Sequence, residues 1–70
     1  MDAYQQISEL AAELRDACLT KAERQAAIRQ LHELQHDLEL EEVAAIDGGD
    51  GKTAASLYAQ WLRIEHALAA

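Results

Sequence analysis

The chain has 70 residues and a net charge of −7, from 13 acidic and 6 basic side chains. Its length allows one small domain, whose core supplies only ~3–5 kcal/mol, so chains of this size often depend on a partner. The negative charge argues against direct binding to nucleic-acid phosphates, and no apolar run approaches the ~20 residues of a membrane span.

Composition predicts an all-α fold. Ala, Leu, Glu and Gln are abundant, Pro is absent, and there are only one Val and two Thr. Cys18 is the only cysteine, and the acidic N-terminal segment does not resemble a secretory signal. Both observations favour a reducing compartment, and we therefore expect a cytoplasmic protein.

The first predicted helix covers about residues 3–18. Its apolar residues follow a spacing of three and four, typical of a coiled-coil seam: Tyr4, Ile7, Ala11, Leu14 and Cys18. This pattern predicts that Cys18 is buried. Thr20 and Glu23 have the capping-box spacing, and the seam changes phase there, so we expect a break near Thr20. One continuous helix of about 44 residues is the alternative.

The second predicted helix covers residues 21–46. One side carries a buried stripe that ends with Ile46: Ala27, Ile28, Leu31, Leu34, Leu38, Ala45 and Ile46. Three glycines within residues 47–51 predict a sharp reversal. The third helix, about 53–69, has its own stripe, with Trp61 as the expected core anchor: Ala54, Leu57, Trp61, Ile64 and Leu68. We predict one domain, an antiparallel hairpin with an additional N-terminal helix, resembling a three-helix bundle.

The segment from His32 to His36 matches the HExxH pattern of zinc proteases. The extended motif needs a Gly and a His where this chain has Glu39 and Glu42, and no third ligand is evident. We therefore predict no catalytic residues, no metal site and no cofactor.

Acidic residues dominate the stretch between Arg29 and Lys52, which contains seven carboxylates and no Lys or Arg. A solvated helix surface is the ordinary explanation, and a docking surface for a basic partner is the functional one. Leu40 and Val43 lie opposite the buried stripe, inside this acidic field. They indicate a protein interface, with burial against the first helix as the competing explanation. We predict seven partner-binding residues: His36, Glu39, Leu40, Glu41, Glu42, Val43 and Tyr58.

The turn and the last helix resemble the YscE-type small co-chaperones of type III secretion. The resemblance rests on a set of residues in the last third of the chain: Gly48, Gly49, Asp50, Lys52, Tyr58, Trp61, Arg63, Ala67 and Leu68. It implies a cytosolic protein that joins a TPR-like chaperone and keeps a secreted needle subunit from polymerising. The segment between Asp50 and Tyr58 is about one helical turn longer than in that family.

Two hypotheses follow. The first is a non-enzymatic interaction protein, a small acidic co-chaperone or adaptor. The second is an acidic, for instance phage-encoded, inhibitor that occupies the basic surface of a nucleic-acid-binding protein, and it predicts strong salt dependence. The sequence leaves a homodimer open.

Overall fold

The computed structural model describes residues 3–69. They form three helices, α1 (Ala3–Leu14), α2 (Lys21–Asp47) and α3 (Gly51–Ala69), and no strand occurs among them. The prediction of an all-α, three-helix arrangement is confirmed. Residue 35 of α2 pairs with residue 65 of α3, and residue 39 with residue 61, so the two helices run antiparallel as a hairpin. α1 packs against both.

α1 ends at Leu14, four residues before the predicted end. The amide of Arg15 donates to the Ala12 carbonyl in a tight turn, and the Asp16 carboxylate accepts from the Cys18 amide. A short Asp side chain that bonds its local backbone in this way competes with helix continuation. Cys18 consequently lies in the connecting loop and is exposed, so the prediction that it is buried was wrong.

The break near Thr20 is confirmed, and its cause is the predicted capping box. Thr20 is extended (φ −71°, ψ 163°) and its hydroxyl accepts from the Glu23 amide at 3.1 Å. The Glu23 carboxylate in return accepts from the Thr20 amide at 3.2 Å. These two bonds satisfy donors that the helix start would otherwise leave unpaired, and they exclude one continuous helix.

The reversal between α2 and α3 lies at residues 48–50. Gly49 has φ +75°, a left-handed conformation in which a side chain would be strained. Asp50 then caps α3, because its carboxylate accepts from both the amide and the hydroxyl of Thr53. This cap starts α3 at Gly51, about two residues earlier than predicted.

One hydrophobic core joins the three helices. Its buried members come from every helix: Ile7, Leu10, Ala27, Leu31, Leu38 and Ile64. The largest fully buried side chains are Ile7, Leu31 and Ile64. Trp61 is only partly buried, so the prediction that it anchors the core was wrong, and Ile64 fills the centre instead.

The helices differ in length, which divides the molecule into two parts. At 1.5 Å per residue, α1 spans about 18 Å and α2 about 40 Å. The Leu14 carbonyl accepts from Arg24 at one end of α1, and Tyr4 lies under Arg63 at the other. α1 therefore covers the first half of α2 and the second half of α3, which we name the three-helix end. Residues 36–47 and 51–61 form the two-helix end. Ile46 lies there, and it is 58% exposed instead of buried as predicted.

Candidate protein-binding surfaces

The HExxH segment forms part of an exposed helix surface. His32, Glu33 and His36 are all exposed. Within residues 3–69, no group of three or more His, Cys, Asp or Glu side chains is arranged to hold a metal ion. The two imidazoles lie one turn apart on α2 and face solvent without a third ligand from α1 or α3.

Six of the seven residues predicted to bind a partner are exposed, and Glu42 is partly buried. Leu40 is 59% exposed, Val43 56% and Tyr58 50%. Burial of Leu40 and Val43 against α1, the competing explanation, is excluded because both side chains are more than half exposed. Their assignment to an interface stays a prediction.

Helix geometry divides the predicted set. His36, Leu40 and Val43, together with Asp47 from outside the predicted set, recur at spacings of four, three and four, so they lie on one side of α2. Glu41 is rotated by about 200° from Val43 and therefore projects from the other side of the helix. Charge and proximity along the chain, by which these residues were grouped, do not separate the two sides of a helix.

A small aromatic cluster joins this side of α2 to α3. The Trp61 Nε1–H donates to the Glu39 carboxylate at 2.9 Å. The rings of Tyr58 and Trp61 stack with centroids 5.9 Å apart and planes 11° apart. Glu39, Glu42, Tyr58 and Trp61 line a shallow pocket. Tyr58 therefore belongs to the same surface as the acidic residues of α2, because it stacks on Trp61 and the indole of Trp61 bonds Glu39. Trp61 had been predicted to lie in the core.

We name the resulting surface the acidic face. It combines exposed or partly exposed apolar side chains with carboxylates on the two-helix end: His36, Glu39, Leu40, Glu42, Val43, Ile46 and Asp47 of α2, and Tyr58 of α3. Sequence reasoning missed Ile46, because its periodicity matches the buried stripe. The exposure of Ile46 could have been predicted from its position beside Asp47 at the end of α2, because a short α1 does not extend that far.

A second surface feature lies at the three-helix end and was not predicted. It is an open groove of about 630 Å³, and its lining includes three arginines and a histidine but no Asp or Glu: Ile7, Ser8, Ala11, Leu14, Arg15, Arg24, Ile28, Arg63, His66, Ala67 and Leu68. We name it the arginine groove. Its residues are scattered between positions 7 and 68, so no local pattern in the sequence reveals it.

Comparison with protein-family models, curated proteins and solved structures gives no significant match to this chain. The resemblance to the YscE-type co-chaperones is therefore neither supported nor contradicted by these comparisons. No helix within residues 3–69 combines the length and the apolar character needed to cross a lipid bilayer.

Proposed function

We propose that this chain is a non-enzymatic protein-interaction module, a small acidic co-chaperone or adaptor of the cytoplasm that binds a partner through the acidic face. The observation that carries the proposal is the exposure of Leu40, Val43 and Ile46 beside carboxylates, at the end of the hairpin that α1 leaves uncovered.

The chemistry of the face indicates what the partner offers. Exposed apolar side chains within a charged rim are typical of protein interfaces, where the apolar centre supplies affinity and the charges supply selectivity and association rate. We infer a partner with an apolar ridge flanked by Lys or Arg. Tyr58 and Trp61 add a stacked aromatic pair, and such residues are enriched among those that dominate binding energy.

The resemblance in the last third of the chain narrows the partner to a TPR-like chaperone and a small secreted needle subunit of type III secretion. In this proposal the chain shields surfaces of those proteins before secretion. The short α1 supports that role, because it leaves the acidic face open to a helix of another protein.

The proposal is tested by affinity purification of the tagged chain from its native cells, with stepwise elution by salt and identification by mass spectrometry. A double Leu40→Asp, Val43→Asp variant is expected to lose at least about tenfold in the amount of partner retained. Gln25→Asp, Gln30→Asp is the matched control, since both glutamines are exposed on α2 away from the acidic face. Equal retention by both variants would refute the assignment of the face.

The acidic inhibitor is the second candidate, and the seven carboxylates between Glu33 and Asp50 favour it. It predicts a basic nucleic-acid-binding protein that elutes at moderate salt, because exposed charge pairs are screened within about 10 Å at 0.1 M. A partner of the co-chaperone type should remain bound at high salt, since apolar burial dominates that contact. The salt concentration at which the partner elutes therefore distinguishes the acidic inhibitor from the co-chaperone.

A further inference from the structure

Half of the basic side chains of this acidic chain lie at one place. Six side chains are Lys or Arg, and three of them, Arg15, Arg24 and Arg63, line the arginine groove. His66 lies at the same groove. The α2 residues of the acidic face, at the other end of the hairpin, lie in a stretch without Lys or Arg. The chain therefore presents two surfaces of opposite charge, each with apolar side chains.

The arginine groove is preformed. Arg24 donates to the Leu14 carbonyl at 3.1 Å, and the Arg63 guanidinium lies 4.2 Å from the centre of the Tyr4 ring, which orients both side chains. Partly buried Leu14, Ile28 and Leu68 provide an apolar floor. Guanidinium groups bind carboxylates with two parallel hydrogen bonds, so this groove suits an apolar segment flanked by carboxylates.

The acidic face has that chemistry. Val43 and Ile46 project from α2 with Asp47 and Glu42 beside them, and all but Glu42 are exposed. One molecule cannot bring these two surfaces together, because Leu40 lies 16 residues from Arg24 on the same helix, about 24 Å away along the axis of α2. A contact between them requires two molecules.

We propose that the arginine groove binds the acidic face of a second copy of this chain. If two copies lie side by side with their α2 helices antiparallel, each can place its acidic face on the groove of the other, which closes a two-fold dimer. The net charges repel, but screening at physiological ionic strength confines that repulsion to about 8 Å, whereas the local pairs are in contact. The dimer covers the acidic face until another partner displaces the second copy.

The test uses charge reversal in the purified chain and measures mass by sedimentation over a range of concentrations. The groove variant is Arg15→Glu, Arg63→Glu, and the face variant is Glu42→Arg, Asp47→Arg. Arg24 and Glu39 are left unchanged because they bond within the fold. Each variant alone is expected to dimerise at least about tenfold more weakly than the parent chain. An equimolar mixture should dimerise again, because the reversed charges are complementary between the two variants.

Two matched controls distinguish the effect of changing either surface from the effect of changing the net charge of the chain. The control for the groove variant is Lys21→Glu, Lys52→Glu, which has the same net charge. The control for the face variant is Glu9→Arg, Glu13→Arg, which again has the same net charge. None of these four residues lines the groove or belongs to the acidic face. The controls should dimerise like the parent chain, and circular dichroism checks that every variant is helical. A parent chain that stays monomeric, a dimer that is insensitive to the groove variant, or a mixture that does not recover would overturn the proposal.

This inference concerns the acidic face but does not depend on the co-chaperone function. The sedimentation experiment contains no other protein, whereas the affinity purification detects one. Loss of partner binding with an intact dimer would refute the proposed function alone, and a monomeric chain that still captures a partner through Leu40 and Val43 would refute the dimer alone.

Discussion

The two ends of the hairpin are built from similar helices but have different surroundings. At the three-helix end, α1 covers α2 and α3, and Ile7, Leu31 and Ile64 are fully buried. At the two-helix end no third helix occurs among residues 3–69, and Leu40, Val43 and Ile46 are more than half exposed. Apolar side chains such as Leu38 still contribute to the core at the two-helix end, but this end also presents apolar side chains that are available for binding. The boundary lies at the N-terminal end of α1, where Tyr4 lies under Arg63.

The strongest way to test this comparison is the same substitution at both ends. Leu31→Ala removes a fully buried side chain and should cost about 2–5 kcal/mol, comparable to the whole stability of so small a core. Leu40→Ala should change the free energy of unfolding by no more than about 0.5 kcal/mol. Urea unfolding followed by circular dichroism in dilute solution measures both. Equal losses would mean that the two-helix end is packed as tightly as the other.

A smaller loss of folding stability is expected from a substitution at the junction of the three-helix end and the two-helix end. Gln35 is the one buried polar side chain among residues 3–69, and its Nε2 donates to the Glu65 carboxylate at 2.6 Å. Gln35→Ala removes this bond and should lower the free energy of unfolding by about 1–3 kcal/mol. Gln30→Ala is the control, since it is the same change at an exposed position of α2. If both variants were equally stable, the bond would not contribute to joining the helices.

The smallest expected effect is a pH-dependent change in the stability of the first turn of α3, at the two-helix end. Hydrogen bonds from the Thr53 hydroxyl and amide hold the pKa of Asp50 below its ordinary value. A lowered folded-state pKa stabilises the fold above the ordinary value, and this contribution is lost as the pH falls through the folded-state pKa. Amide protons in the first turn of α3 should therefore lose protection only as the pH falls below the ordinary Asp pKa of about 4.

Asp50→Asn isolates that effect. Asn keeps a capping oxygen but does not titrate, so the first turn of α3 should show less pH dependence in this variant. Identical pH profiles for the parent chain and Asp50→Asn would show that the ionised carboxylate is not what stabilises the turn.

Local chemistry made much of the fold predictable. The spacing of Thr20 and Glu23 was sufficient to place the start of α2, because a capping box involves only four consecutive residues. Helix type and number followed from composition and periodicity. The end of α1 was missed because the Cys18 spacing continues the seam, whereas the Asp16 carboxylate bonds the backbone and ends the helix.

Features that depend on packing between helices were harder to predict. Trp61 and Ile64 occupy the same stripe of α3, and only the position of α2 decides which one fills the core. Gln35 appears as an ordinary polar residue until Glu65 lies opposite it. The exposure of Leu40 and Val43 was anticipated from their side of α2, but the arginine groove required three helices to be placed together.

The position of Trp61 has an optical consequence. It is the only tryptophan of the chain, and its indole bonds Glu39 within the acidic face, next to Tyr58. Fluorescence of the unlabelled protein therefore originates beside the surface of interest. A molecule that covers this face displaces water from the indole, so the emission maximum should move to shorter wavelength, and the chain carries its own reporter of occupancy.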